Sequence, residues 1–123
     1  MTLLLREVQN AAPVPLCVPC PADGPLGARC RRFLAKPTLH ESIDDWCADL
    51  GTSRRAFTRR FRRETGLSFA AWQRQACLVT AIPRLAANES VTAVAFDLGY
   101  ASVAAFSVLF RRVLGTPPSR YQG

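Results

Sequence analysis

Between Thr52 and Gly66 the chain reads TSRRAFTRRFRRETG, and six of the ten residues from Arg54 to Arg63 are arginine. Charges this close repel one another, so a partner of opposite sign is expected to sit on them. A guanidinium is a planar fork of donors. It can grip a phosphate, or a guanine through O6 and N7, with two parallel hydrogen bonds. Other chemistry has less to work with. Cys17 and Cys20 form a C-x-x-C pair, but there is no second pair and the single histidine, His40, is distant in sequence. Structural zinc takes four ligands, so the two cysteines read as small apolar residues in a strap and His40 as a surface residue near a helix start. Glu41, Asp44, Asp45 and Asp49 crowd one stretch. Adjacent Asp44 and Asp45 face different ways on a helix, and the dipole of a helix N-terminus accounts for acidic residues there. A contact surface for RNA polymerase is the other reading of this group. No nucleophile, base and orienting group are suggested together, so neither an enzyme nor a bound cofactor or metal is expected.

The arginines need a scaffold that turns them outward, and the apolar residues among them describe one. At about 100° per residue, Phe57 and Phe61 point one way from a helix starting after Ser53. Arg55, Thr58, Arg59 and Arg62 point the other way, flanked by Arg54 and Arg63. Ser53 is a good N-cap, and Gly66 a good stop. Before it, Ser42 opens a shorter helix. Asp45 stands three residues on, at capping-box spacing, and Ile43, Trp46, Cys47 and Leu50 form the apolar stripe before Gly51. Upstream, Leu26 to Ala35 reads as a helix with Cys30, Phe33 and Leu34 on one side, stopped by Pro37. Downstream, Ser68 caps a longer helix from Phe69 to about Ala86. Pro83 is expected to kink it or loosen its last turn. Ser90 caps a fifth helix, with Val91, Val94, Ala95 and Leu98 inward and Gly99 at its end. Ser102 caps a sixth, and TPPSRY closes the chain. Trp46, Trp72, Phe96 and Tyr121 lie at helical spacings that favour core packing. The stretch APVPLCVPCPADGP holds five of the nine prolines and reads as extended chain, a linker or strap. Leu3 to Gln9 reads as the end of a helix. No segment alternates as a strand.

Two parts of this pattern repeat. Ile43, Trp46, Cys47, Leu50 and Gly51 match Val91, Val94, Ala95, Leu98 and Gly99. One residue is added in the turn, and then Ser53, Phe57, Phe61, Arg62, Arg63 and Gly66 match Ser102, Phe106, Phe110, Arg111, Arg112 and Gly115. Each unit is a short apolar helix, a glycine turn and a serine-capped helix with aromatic anchors, the grammar of a helix-turn-helix. The exposed positions differ: Arg55, Thr58 and Arg59 correspond to Ala104, Ser107 and Val108. The first unit is expected to read base edges. The second positions itself through Ser102, Arg111 and Arg112, while Ala104 and Val108 suit a thymine methyl.

The totals agree with an anionic partner. The chain of 123 residues carries a net charge of +7 and is 49% hydrophobic, enough for one packed domain or two small ones. The charge is uneven, about +3 over residues 1–40, −4 over 41–52, +5 over 53–68 and +3 beyond. Double-stranded DNA is the partner this pattern favours. Non-specific binding of polyanions or an anionic membrane surface through the cationic helix is the alternative. Nothing approaches a membrane span. Arg6 ends the short run Leu3–Leu5, too brief for an export signal, so reduced thiols and a cytoplasmic location are expected.

The stretches SIDDWCADLGTSRRAFTRRFRRETGLSFAAWQRQ and LAANESVTAVAFDLGYASVAAFSVLFRRVLGTPPSRY resemble the DNA-binding domain of AraC-type transcription regulators. The second carries the LGY, Ser-x-x-x-Phe, FRR and G-x-x-P-x-x-Y elements of that family. The likeness spans about Leu26 to Tyr121. It implies an all-α fold of two homeodomain-like helix-turn-helix subdomains, 25–67 and 88–123, joined by a linker helix at 68–87. Residues 1–24 are similar to the tail of a sensor domain that is itself absent. The resemblance implies base-facing roles for Arg55, Thr58, Arg59, Ala104, Ala105 and Val108. With Ser107, these complete the expected reading faces, and Ser53, Arg54, Arg62, Arg63, Ser102, Arg111 and Arg112 are expected on phosphates.

Overall fold

A computed structural model describes residues 18–121 of the chain. The expected helix end at Leu3–Gln9 and the first cysteine of the C-x-x-C pair, Cys17, lie outside the described residues. Six α-helices follow one another: α1 (Gly24–Ala35), α2 (Ile43–Leu50), α3 (Arg54–Thr65), α4 (Phe69–Ala86), α5 (Val91–Asp97) and α6 (Val103–Leu114). A 3-10 turn (Pro118–Tyr121) ends the series. Among the described residues there is no strand.

The serines do what their positions ask. The Ser42 hydroxyl accepts from the Asp45 N–H at 3.2 Å, and the Asp45 carboxylate accepts from the Ser42 N–H at 2.9 Å, a complete capping box. Single side-chain caps at Ser53, Ser68, Ser90 and Ser102 open the next four helices. Two boundaries differ from the sequence reading. α1 starts two residues before Leu26, with Pro25 in its first turn, where a missing N–H costs nothing. α5 ends at Asp97, and Leu98 rather than Gly99 is its C-cap. A third expectation is corrected: Phe96 is 52% exposed rather than in the core. Val94, Ala95 and Leu98 occupy the inward face of α5, and Phe96 stands about 200° around the helix from Val94. α4 runs through Pro83 to Ala86. Pro83 has no N–H for the carbonyl one turn back. The next residue, Arg84, reaches Glu89 at 2.8 Å and Asp97 at 2.6 Å, tying the end of α4 to α5.

Two cores lie along α4. The first is aromatic. Trp46 meets the rings of Phe33, Phe57, Phe61, Phe69 and Trp72 at centroid distances of 5.0 to 6.2 Å, within the span where ring pairs attract. The stretch before α1 lies on this core: Val18 and Cys20 pack against it, and the Trp72 indole N–H donates to the Pro19 carbonyl at 2.6 Å. The second core is mainly aliphatic, with Leu78, Leu85, Val94 and Leu98 joined by Tyr100, Phe106 and Phe110. Tyr121 closes it from the 3-10 turn, 5.3 Å from Phe110.

Candidate nucleic-acid interface

The outward face of α3 is built by what its inward face buries. Phe57 and Phe61 are 2% and 0% exposed, which fixes the rotation of the helix. Arg55, Thr58, Arg59, Arg62 and Arg63 then stand in solvent. None of these four arginines pairs with a carboxylate among the described residues. Their neighbours do: Arg54 meets Asp44 at 3.2 Å and Arg60 meets Glu64 at 2.9 Å. Both pairs are exposed, of the kind that contributes little and is readily exchanged. α3 thus presents an uncompensated cationic ridge with Arg55, Thr58 and Arg59 along its centre.

The corresponding face of α6 is apolar. Phe106 and Phe110 are buried, while Ala104, Ala105 and Val108 are exposed and Ser107 is half-buried. Ala104, Ala105 and Val108, with Leu109 and Arg112, line a shallow groove of about 420 Å³. Arg111 and Arg112 are exposed at the far end of the helix. Ser53 and Ser102 spend an acceptor lone pair on their caps, each taking an N–H at 3.1 Å, from Ala56 and Ala105. The hydroxyl hydrogen of each stays available to donate to a phosphate.

One cation behaves unlike the others, and the sequence reading passed over it. Arg29 is 7% exposed. Its guanidinium reaches Glu41 at 2.7 Å and Asp49 at 3.0 Å and stacks over Trp46 at 4.3 Å. Glu41 also accepts from the Trp46 indole at 2.8 Å, and Asp49 from Arg32 at 3.0 Å. Two members of the acidic group therefore serve the first unit's framework, and a third, Asp45, caps α2. The signal was present: Leu26, Arg29, Cys30 and Phe33 share one helix face, so an arginine sits on the apolar stripe of α1.

The three buried thiols are poor nucleophiles. Burial pushes Cys30 and Cys77 up to about 12 and raises Cys47 as well. His40 is exposed, and Cys20 is half-buried against the first core. Among the described residues no three His, Cys, Asp or Glu side chains gather as a metal cage, and no helix is long and apolar enough to cross a membrane.

A family model described as a helix-turn-helix domain matches residues 46–123. The HTH-type transcriptional regulator NimR of Escherichia coli is 38% identical over 85 residues, 69% of this chain and 31% of NimR. The HTH-type transcriptional regulator RipA of Corynebacterium glutamicum is 28% identical over 118 residues, 96% of this chain and 35% of RipA. The chain therefore spans about a third of the length of these curated relatives. The crystal structure of the DNA-binding domain of AdpA in complex with a target DNA superposes with a TM-score of 0.74 at 31% identity, over 80% of this chain and 90% of that one.

Proposed function

Because the chain belongs to the AraC-type helix-turn-helix domains of transcription regulators, we propose that it binds double-stranded DNA at specific sequences, reading the major groove mainly with α3. The observation that carries this reading is the ridge of unpaired arginines on a helix whose opposite face is locked by Phe57 and Phe61. Arg55 and Arg59 lie one helical turn apart, a spacing that lets both reach base edges of one groove, with Thr58 between them. Arg54, Arg62 and Arg63 fall at the sides, where phosphates run. In the second unit Ala104 and Val108 suit a thymine methyl without demanding one, Ala105 lies on the same face, Ser107 suits a base or phosphate, and Ser102, Arg111 and Arg112 suit the backbone. With both helices engaged, the domain covers two successive major grooves, about 34 Å apart.

Selection of bound duplexes from a random pool by the full chain tests this. The expected outcome is a shared motif with its most constrained positions under α3, and a binding constant that falls steeply with salt. Recovery of no motif, together with equal binding to anionic liposomes, would replace this reading with general polyanion binding.

A further inference from the structure

The two units touch at a second place besides α4, and the contact is built with some care. The loop between α1 and α2 belongs to the first unit, yet Leu39 in it packs against the second core. The Leu39 N–H donates to the Leu98 carbonyl at 2.8 Å. That carbonyl lies at the end of α5, where helical carbonyls have no partner in their own helix, so one unit caps a helix of the other. Gly99 makes the approach possible. Its φ is +96°, and a Cβ there would stand 3.1 Å from the Leu39 nitrogen and 3.2 Å from the Leu39 Cβ. From the linker helix, the Gln73 carboxamide donates to the carbonyls of Thr38 at 3.0 Å and Glu41 at 2.8 Å, holding the loop on both sides of Leu39. Gln73 is itself only 8% exposed.

We propose that this clasp sets the spacing of the DNA sites the domain accepts. It rests on the reading of α3 and α6 as the two DNA-facing helices. A linker helix alone is a single attachment, and α4 lacks one backbone hydrogen bond at Pro83. Two attachments remove the pivot. The separation and relative rotation of α3 and α6 are then fixed before DNA is met. Adding one base pair between half-sites turns the second by about a tenth of a turn and moves it about 3.4 Å. A hinged pair of units can follow that change and a clasped pair cannot. Leu39, Gly99 and Gln73 are positioning residues that touch no DNA.

The test uses the full chain and duplexes built from the selected motif, with the two half-sites at their selected spacing and with one or two base pairs added or removed. The wild type is expected to lose about tenfold in affinity for a one-base-pair change, because the second contact no longer benefits from a high effective concentration. Leu39→Ala is expected to bind all spacings within about threefold of one another, through loss of affinity for the selected spacing. Its affinity for a duplex carrying only the first half-site should equal that of the wild type. A Leu39→Ala protein that keeps the wild-type spacing preference overturns the clasp, as does a wild type indifferent to spacing. Should Leu39→Ala weaken single half-site binding too, its fold is damaged. Gln73→Ala, which frees the loop from the linker side, then decides by the same spacing readout. A wild type that selects no motif at all refutes the DNA reading itself, an outcome distinct from either.

Discussion

Ser53 and Ser102 cap α3 and α6 with the same bond, 3.1 Å to the N–H three residues on. Gly66 and Gly115 close those helices in the left-handed region at φ 81° and 78°, and each N–H reaches back to an arginine carbonyl at 2.8 Å. Phe57 and Phe61 are buried in one, Phe106 and Phe110 in the other. Yet the first unit surrounds Trp46 with five rings and shows arginine to solvent. The second puts Val94 where Trp46 stands and shows alanine and valine. Caps, stops and anchors define the helix-turn-helix backbone and are held in common. Core chemistry and displayed chemistry vary freely once they are met. Two units with one backbone can therefore display different chemistry, a cationic ridge on one and an apolar face on the other.

The comparison is most exposed in the cores. Trp46→Ala is expected to destabilise the domain by about 3–5 kcal/mol, since it opens a large cavity and strips Arg29 and Glu41 of their partner. Val94→Ala at the matching site should cost roughly 2 kcal/mol, two methyl groups and a small cavity. Urea denaturation of the two variants measures the difference, and equal losses would erase the contrast between an aromatic and an aliphatic core. Next come the displayed faces. Arg59→Ala is expected to weaken binding to a selected site by about 1–3 kcal/mol and to relax one base position. Val108→Ala should leave sequence preference nearly unchanged. Equal loss on selected and random DNA would reassign Arg59 to a phosphate, and altered selection by the Val108 variant would make the second unit a reader of bases.

Smaller effects sharpen the likeness. Ser53→Ala and Ser102→Ala should each cost about 1 kcal/mol in thermal or urea unfolding, and a clear inequality would show that the caps are not equivalent. Acid should act on both units. The backbone and side chain of Ser42 hold the Asp45 carboxyl below its ordinary range, and the Arg84 guanidinium does the same for Glu89. A carboxylate with a lowered folded pKa contributes stability above its unfolded value, about pH 4, and loses it as pH falls through the lowered one. Amide exchange at the start of α2 and at the α4–α5 junction should therefore quicken in step below about pH 4. Asp45→Asn should remove the change from the first site alone.

How much of this was legible varied with the range of the contact. The caps at Ser42, Ser53, Ser68, Ser90 and Ser102 could be read because a capping hydroxyl meets an N–H three residues away. The faces of α3 and α6 could be read because helical periodicity decides which side chains share a side. Both are properties of a few consecutive residues. The course of α4 beyond Pro83 was harder, since the bridge from Arg84 to Glu89 and Asp97 belongs to the next helix. Phe96 looked like core because an aromatic residue in a short apolar helix usually is. Its exposure follows from Val94, Ala95 and Leu98 filling the side that meets α4 and α6.

The amino-acid order by itself therefore determined the six helices, their ends to within a residue or two, the twofold repeat, and the sign of the ridge on α3. Each is settled by hydrogen bonds and periodicities spanning less than about two turns. Only the tertiary structure decided that Arg29 is an interior cation rather than one more surface charge. It alone decided that Glu41 and Asp49 belong to that cation, and that a loop of the first unit fastens onto the second through Leu39, Gln73 and Gly99. Those contacts join residues far apart in the chain. Their geometry depends on how whole helices pack, which no local pattern of residue types encodes.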